Sequence, residues 1–336
     1  MKNNRSAIDK LTALWALNES GLGGFLHVFN SPFTGILVGG IAILLISLIA
    51  YYAENIWRSV LKALLIVLII KIAVSPHSPP TAYLSVTFQA VAGAFLLHYF
   101  SSKTLALILL GILTFLQSAL QKLIVLTIVY GENLWEAIDL YGAWLMQQLG
   151  VVTQTSATSL LIFLYLLLYG SCGFLAGWFI KNIITLIGQQ ETKEDFVLRP
   201  DSIATKKKKK GPAFRSRILF LWGITIMVII LAFTFFGGPL LGWKKGVYLI
   251  LRSLLVLLLW YMVIGPLILK LIRKYLIKKE SRYKEDINNA LDLFPYFRSI
   301  ISHTWKSTGH LKGYTRFKYF IAHTILYCIH FEIRPE

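Results

Sequence analysis

Apolar positions in this chain gather into long runs separated by short polar breaks, the pattern of helices that cross a bilayer rather than of alternating strands. A run of about 20 apolar residues matches the roughly 30 Å hydrocarbon layer. The pattern predicts spans at Thr34 to Tyr52, Trp57 to Val74, Thr81 to Phe100, Thr104 to Tyr130 and Ser156 to Ile187, then at Ile218 to Phe236 and Gly246 to Ile264. Asn133 to Gly150 is weaker and amphipathic, with Glu132, Glu136 and Asp139 on one helical face; it reads as a sixth span of the first half or an interfacial helix, and six is the preferred count. Tyr314 to Phe331 spans or lies in the interface. Residues ahead of Thr34 read as a mixed polar stretch without a cleavable signal peptide, so the first span serves as the insertion signal.

The predicted fold class is all-α, a polytopic helical membrane protein of about eight to nine transmembrane helices in two bundles. Residues 1–187 form the amino-terminal bundle, 188–217 a basic cytoplasmic linker and 218–336 the carboxy-terminal domain. Within the last, Tyr283 to Lys306 reads as a cytoplasmic amphipathic helix, with Ile287, Leu291, Phe294, Arg298 and Ile301 at helical spacing and Pro295 expected to kink it or start a new turn.

Composition strengthens this picture: 56% of residues are hydrophobic and only 15% charged, and the mean hydropathy is +0.64. The net charge of +18 does not point to nucleic acid, because most Lys and Arg flank the apolar runs, where they hold loops in the cytoplasm. The Lys206 to Lys210 run reads as a solvated or lipid-facing segment on anionic headgroups. These features predict a multi-pass protein with its basic loops on the cytoplasmic side of the membrane.

Polar side chains inside spans carry functional information, since they are costly unless they face protein or a cavity. Thr81, Ser85 and Gln89 recur at four-residue steps on one predicted helix, and Thr114, Gln117, Ser118 and Gln121 form a stripe on the next. They are the candidate substrate-binding residues, with Gln89, Gln117 and Gln121 expected to face a common cavity; the alternative is interhelical hydrogen bonding. The rigid Ser75 to Pro80 loop leads into the first stripe and carries His77, read as a solvated loop residue or a ligand group at the cavity mouth. Gly35 with Gly39, and Gly170, Gly173, Ala176 and Gly177, form small-residue faces that let helices approach closely.

No His, Cys or carboxylate set has metal spacing: His303 with His310, and His323 with His330, lack partners, and no metal is assigned. Cys172 and Cys328 lie in apolar runs and read as core residues. The sequence holds no phosphate-cradling loop, nucleophile elbow or His-Glu-x-x-His helix. The chain is therefore read as a non-enzyme that binds no cofactor itself; any ATP is bound by a partner subunit.

Gly246-Val-Tyr-Leu-Ile-Leu-Arg252-Ser-Leu-Leu, followed by Asn289-Ala-Leu-Asp-Leu-Phe-Pro295-Tyr-Phe, resembles the transmembrane T component of energy-coupling-factor (ECF) importers, the CbiQ-like family. The first half, with Pro80-Thr81-Ala82-Tyr83, a Gln-bearing helix and Gly93, is similar to the substrate-binding S components. The family's Ala-Arg-Gly triplets do not occur, and Lys306-Ser307-Thr308-Gly309 stands at the expected place. The resemblance implies an importer component that binds a vitamin-like micronutrient or similar small solute. It also implies that cytoplasmic ABC-type ATPases dock on the amphipathic helix through Phe294, Arg298, Trp305 and Lys306. The other reading is a non-transporting membrane scaffold that recruits proteins or anionic lipid through its basic surface.

Overall fold

Among the residues described by the computed structural model, 2–22, 34–75, 78–148, 156–190, 196 and 243–331, every regular element is helical. The expected span Ile218 to Phe236, the Lys206 to Lys210 run and His77 lie outside the described residues. In chain order the helices are α1 (Lys2–Leu17), α2 (Thr34–Tyr52), α3 (Ile56–Val74), α4 (Pro80–Tyr99), α5 (Lys103–Tyr130) and α6 (Glu132–Gln148). They continue as α7 (Ala157–Gln190), α8 (Trp243–Leu259), α9 (Gly265–Glu280), α10 (Lys284–Ser307) and α11 (Gly313–His330). A π-helical segment, Asn18–Leu22, extends α1, and another, Trp260–Ile264, joins α8 to α9.

Five described stretches are long and apolar enough to cross a membrane: Gly35–Tyr52, Pro80–Tyr99, Lys103–Tyr130, Ala157–Gln190 and Ile250–Leu276. The chain thus has the character of a multi-pass membrane protein. The sequence reading counted more spans; Ile218 to Phe236 lies outside the described residues, and the other expected spans fall short for a physical reason. Helix α3 is interrupted by Arg58, Lys62 and Lys71, α11 opens with Arg316 and Lys318, and α6 carries three carboxylates.

The chain divides into two compact units, one of Met1–Lys122, Leu161–Thr205 and Leu267–Glu336 and the other of Leu123–Leu160 and Lys206–Pro266. The first unit therefore draws helices from both sides of the linker. Its centre is α1, the stretch that read as merely polar. Ala7, Leu11 and Trp15, spaced by four, are fully or almost fully buried, so a narrow apolar stripe suffices to make this a core helix. Helices α1, α2, α4 and α3 adjoin in a closed ring, and α10 and α11 cover α1 from outside it. Helix α3 starts on an Asn55 cap, whose side chain accepts the Arg58 amide at 3.0 Å, and α4 starts with proline at its first position.

In the second unit, Gly131 joins α5 to α6 with φ +72, and a Cβ there would collide with the Arg252 guanidinium. Ser253 Oγ donates to the Val129 carbonyl at 3.2 Å. Asp139 accepts the Thr158 amide at 2.7 Å and caps the start of α7, while the Thr158 hydroxyl donates to Trp135 O at 2.9 Å. Helix α6 buries none of its residues in the protein.

Candidate functional site

Both polar stripes lie in the first unit, and they meet. Ser85 of α4 donates to Gln121 Oε1 of α5 at 2.6 Å, and its Oγ also lies 3.1 Å from the Thr81 carbonyl one turn back. Gln117 Nε2 donates to Gln121 Oε1 at 2.9 Å and to Ser85 Oγ at 3.2 Å. The three side chains form one closed network across the helix pair. Thr81 joins it through its backbone.

The remaining stripe residues lie against the small-residue face of α2. A Cβ built on Gly39 would sit 3.6 Å from Gln89 Nε2 and 3.5 Å from Thr114 Cγ2, and one on Gly35 would sit 3.2 Å from Ser118 Oγ. Glycine at both places therefore lets α2 close on polar neighbours. Gln89 is 4% exposed and Thr114 fully buried, yet Gln89 Oε1, Thr114 Oγ1 and Gln117 Oε1 have no hydrogen-bond partner. Thr114 is unlike Thr12, Thr87 and Thr304, each of which donates to the carbonyl four residues earlier. A buried acceptor without a donor is costly, so this cluster is suited to meeting a polar solute. An open groove of about 510 Å³ lies elsewhere, between α5 and α7, lined by Leu116, Leu166, Leu167, Gly170, Ser171, Phe174 and Leu175. None of the stripe residues lines it.

A second polar cluster escaped the sequence reading. Lys71 of α3 pairs with Glu19 of the π-helical segment at 2.7 Å, with both side chains no more than 3% exposed. The Lys71 ammonium also stands 5.9 Å from the Tyr83 ring centroid on α4. Asn18 Nδ2 donates to Val38 O at 3.1 Å. Trp15 Nε1, Asn18 Oδ1 and Tyr83 Oη are buried without partners. The available signal was Lys71 itself, an ionisable residue deep in an apolar run.

Helix α10 carries the candidate partner-binding residues. Its buried face is Ile287, Ala290, Leu293, Phe297, Ile300 and Thr304; of the stripe that the sequence suggested, Ile287 lies on this face, Leu291 and Phe294 are half-buried at its edge, and Arg298 and Ile301 are exposed. The reason is that α1 and α11 pack on it from outside its own sequence context. The helix runs through Pro295 without interruption. Phe294 is half-buried and Arg298 and Lys306 are exposed. Trp305, 50% exposed, lies under the Arg316 guanidinium at 4.1 Å and meets Phe320 edge-on at 5.1 Å. The start of α10 is tied to α3, where Lys62 contacts both Asp286 oxygens at 3.0 Å. Asp9 of α1 adjoins this pair, and burial pushes its carboxyl above the usual value, aided by Asp286 and opposed by Lys62 and Arg5.

Among the described residues no group of three His, Cys, Asp or Glu side chains is placed to hold a metal ion. His323 instead bonds Gln190 Oε1 at 2.6 Å, and His310 Nδ1 lies 2.9 Å from Ser307 O. No family model, curated protein or solved structure matches the chain.

Proposed function

We propose that the chain is the solute-binding membrane component of a transport system in the inner membrane. The observation that carries this reading is the Ser85, Gln117 and Gln121 network with the unfilled oxygens of Gln89, Thr114 and Gln117 beside it. Neutral amides and hydroxyls in a membrane bundle bind a small polar solute by hydrogen bonds while burying no unpaired charge. The solute class is a micronutrient, vitamin-like or similar. In the energy-coupling-factor arrangement that the sequence resembles, separate cytoplasmic ABC-type ATPases drive the cycle through α10, whose Arg298 and Lys306 are exposed.

Mass spectrometry of small molecules released from the full chain, purified in mild detergent, tests the reading. A polar molecule present in the wild type and depleted in Gln117→Leu, with helicity unchanged, is the expected result. Identical small-molecule profiles for the two proteins would remove the site.

A further inference from the structure

Helix α7 measures depth in the membrane. Its first charged side chain after Ala157 is Lys181, so the run from Thr158 to Ile180 fills the roughly 30 Å hydrocarbon layer. Trp178, Phe179 and Lys181 then lie at one surface, where aromatic and basic side chains collect. Phe179 stacks on Phe317 of α11 with ring centroids 5.7 Å apart and meets Tyr314 at 5.9 Å. The elbow between α10 and α11 is thereby held at headgroup depth.

Trp305, Tyr314 and Phe317 of this elbow are 50%, 61% and 51% exposed. Around them stand Lys306, Lys312 and Arg316, and from Leu293 to Phe331 the sequence has no Asp or Glu. Such a surface is one-sidedly cationic and carries an aromatic collar. The Arg316 guanidinium is also fixed, lying 4.1 Å over Trp305 and donating to its carbonyl at 3.3 Å. A planar donor held in place loses little freedom on meeting a phosphate.

We infer that the elbow between α10 and α11 binds the headgroups of anionic phospholipids. Lys312 and Arg316 meet the phosphate, and Tyr314 and Phe317 lie among the first acyl carbons, with Trp305 as the plate beneath Arg316. The elbow then anchors the α10–α11 pair to the leaflet beside α7.

The full chain in detergent micelles, titrated with phosphatidylglycerol or phosphatidylcholine of identical acyl chains, gives the test by native mass spectrometry of bound lipid. Wild type should retain phosphatidylglycerol preferentially. Lys312→Gln combined with Arg316→Gln should lower that preference about fivefold per charge removed, while Arg316→Lys keeps most of it. Equal retention of the two lipids by wild type overturns the inference, and so does an unchanged preference in the double variant. Circular dichroism checks that each variant is folded. Should the double variant not fold, Trp305→Leu removes the plate beneath Arg316, and the same loss of preference is expected. Displacement of phosphatidylglycerol by free glycerol phosphate would reduce the site to a phosphate contact and overturn the lipid assignment. Loss of binding to a purified ABC-type ATPase in the double variant, with lipid preference intact, would assign the elbow to a protein partner.

Discussion

Lys71 and Glu19 form an ion pair with almost no access to solvent, and such a pair is held by mutual dependence rather than by net gain. Lys71→Met alone leaves a buried carboxylate and should cost about 3–5 kcal/mol. The double variant Glu19→Gln with Lys71→Met should recover most of that loss in thermal unfolding of the micellar protein; additive losses would show that the two charges are not coupled. Asp9 behaves differently. Its carboxyl titrates above the ordinary 3.8, first because it is buried, so the ionised form is the one the fold disfavours. The contribution of Asp9 is therefore most favourable in acid and is lost as pH rises from 3.8 through the raised value. Asp9→Asn should raise the melting temperature at neutral pH and have little effect in acid; equal effects at both would contradict the assigned cause. The amide and hydroxyl stripe was legible because its residues recur at three and four positions within one apolar run. The ion pair was less so, since Glu19 sits in a short polar stretch whose burial is decided by its packing on α2 and α3.

At the scale of helices, close approach explains where glycine is required. A Cβ on Gly173 would sit 2.6 Å from Gly111 O, and one on Gly177 2.5 Å from Ile108 Cα, so α5 and α7 cross backbone to backbone. Gly170, on the same helix, has Leu116 Cδ2 at 3.9 Å as its nearest neighbour. Gly173→Ala should therefore cost about 1–3 kcal/mol, whereas Gly170→Ala is tolerated; paired thermal melts separate the two, and equal effects would refute the crossing. The spacing of these glycines was visible in the sequence, but not which of them faces a backbone, because a period identifies a face and not its partner. Helix α10 teaches the same lesson. Its Ile287, Leu291, Phe294, Arg298 and Ile301 stripe is regular, yet of these only Ile287 is buried, while Phe297 and Ile300 are 1% and 0% exposed. Apolar residues lie on both flanks of this helix, and only its contacts with α1 and α11 choose between them.

For the whole molecule, the sequence legibly announced the helices and membrane-length apolar runs found among the described residues, since composition and run length suffice for that. It did not announce that the first unit would combine its two ends, because that depends on side-chain fit between remote segments. The lysines of residues 188–217 predict a cytoplasmic side for this segment, and trypsin added to inside-out vesicles should cut at Lys206 to Lys210 while intact cells protect it; the reverse pattern would invert the topology. The position of α1 bears on how the protein is made. Lys10 donates to the Ile329 carbonyl at 2.7 Å across 319 residues of sequence, and α10 and α11 cover the flank of α1. During synthesis α1 therefore meets α2 and α3 early, yet leaves the ribosome long before the helices that cover its other flank exist. That flank stays open until the end of translation, and a ribosome stalled before α10 would release a chain whose earliest helix keeps one face exposed to proteolytic quality control.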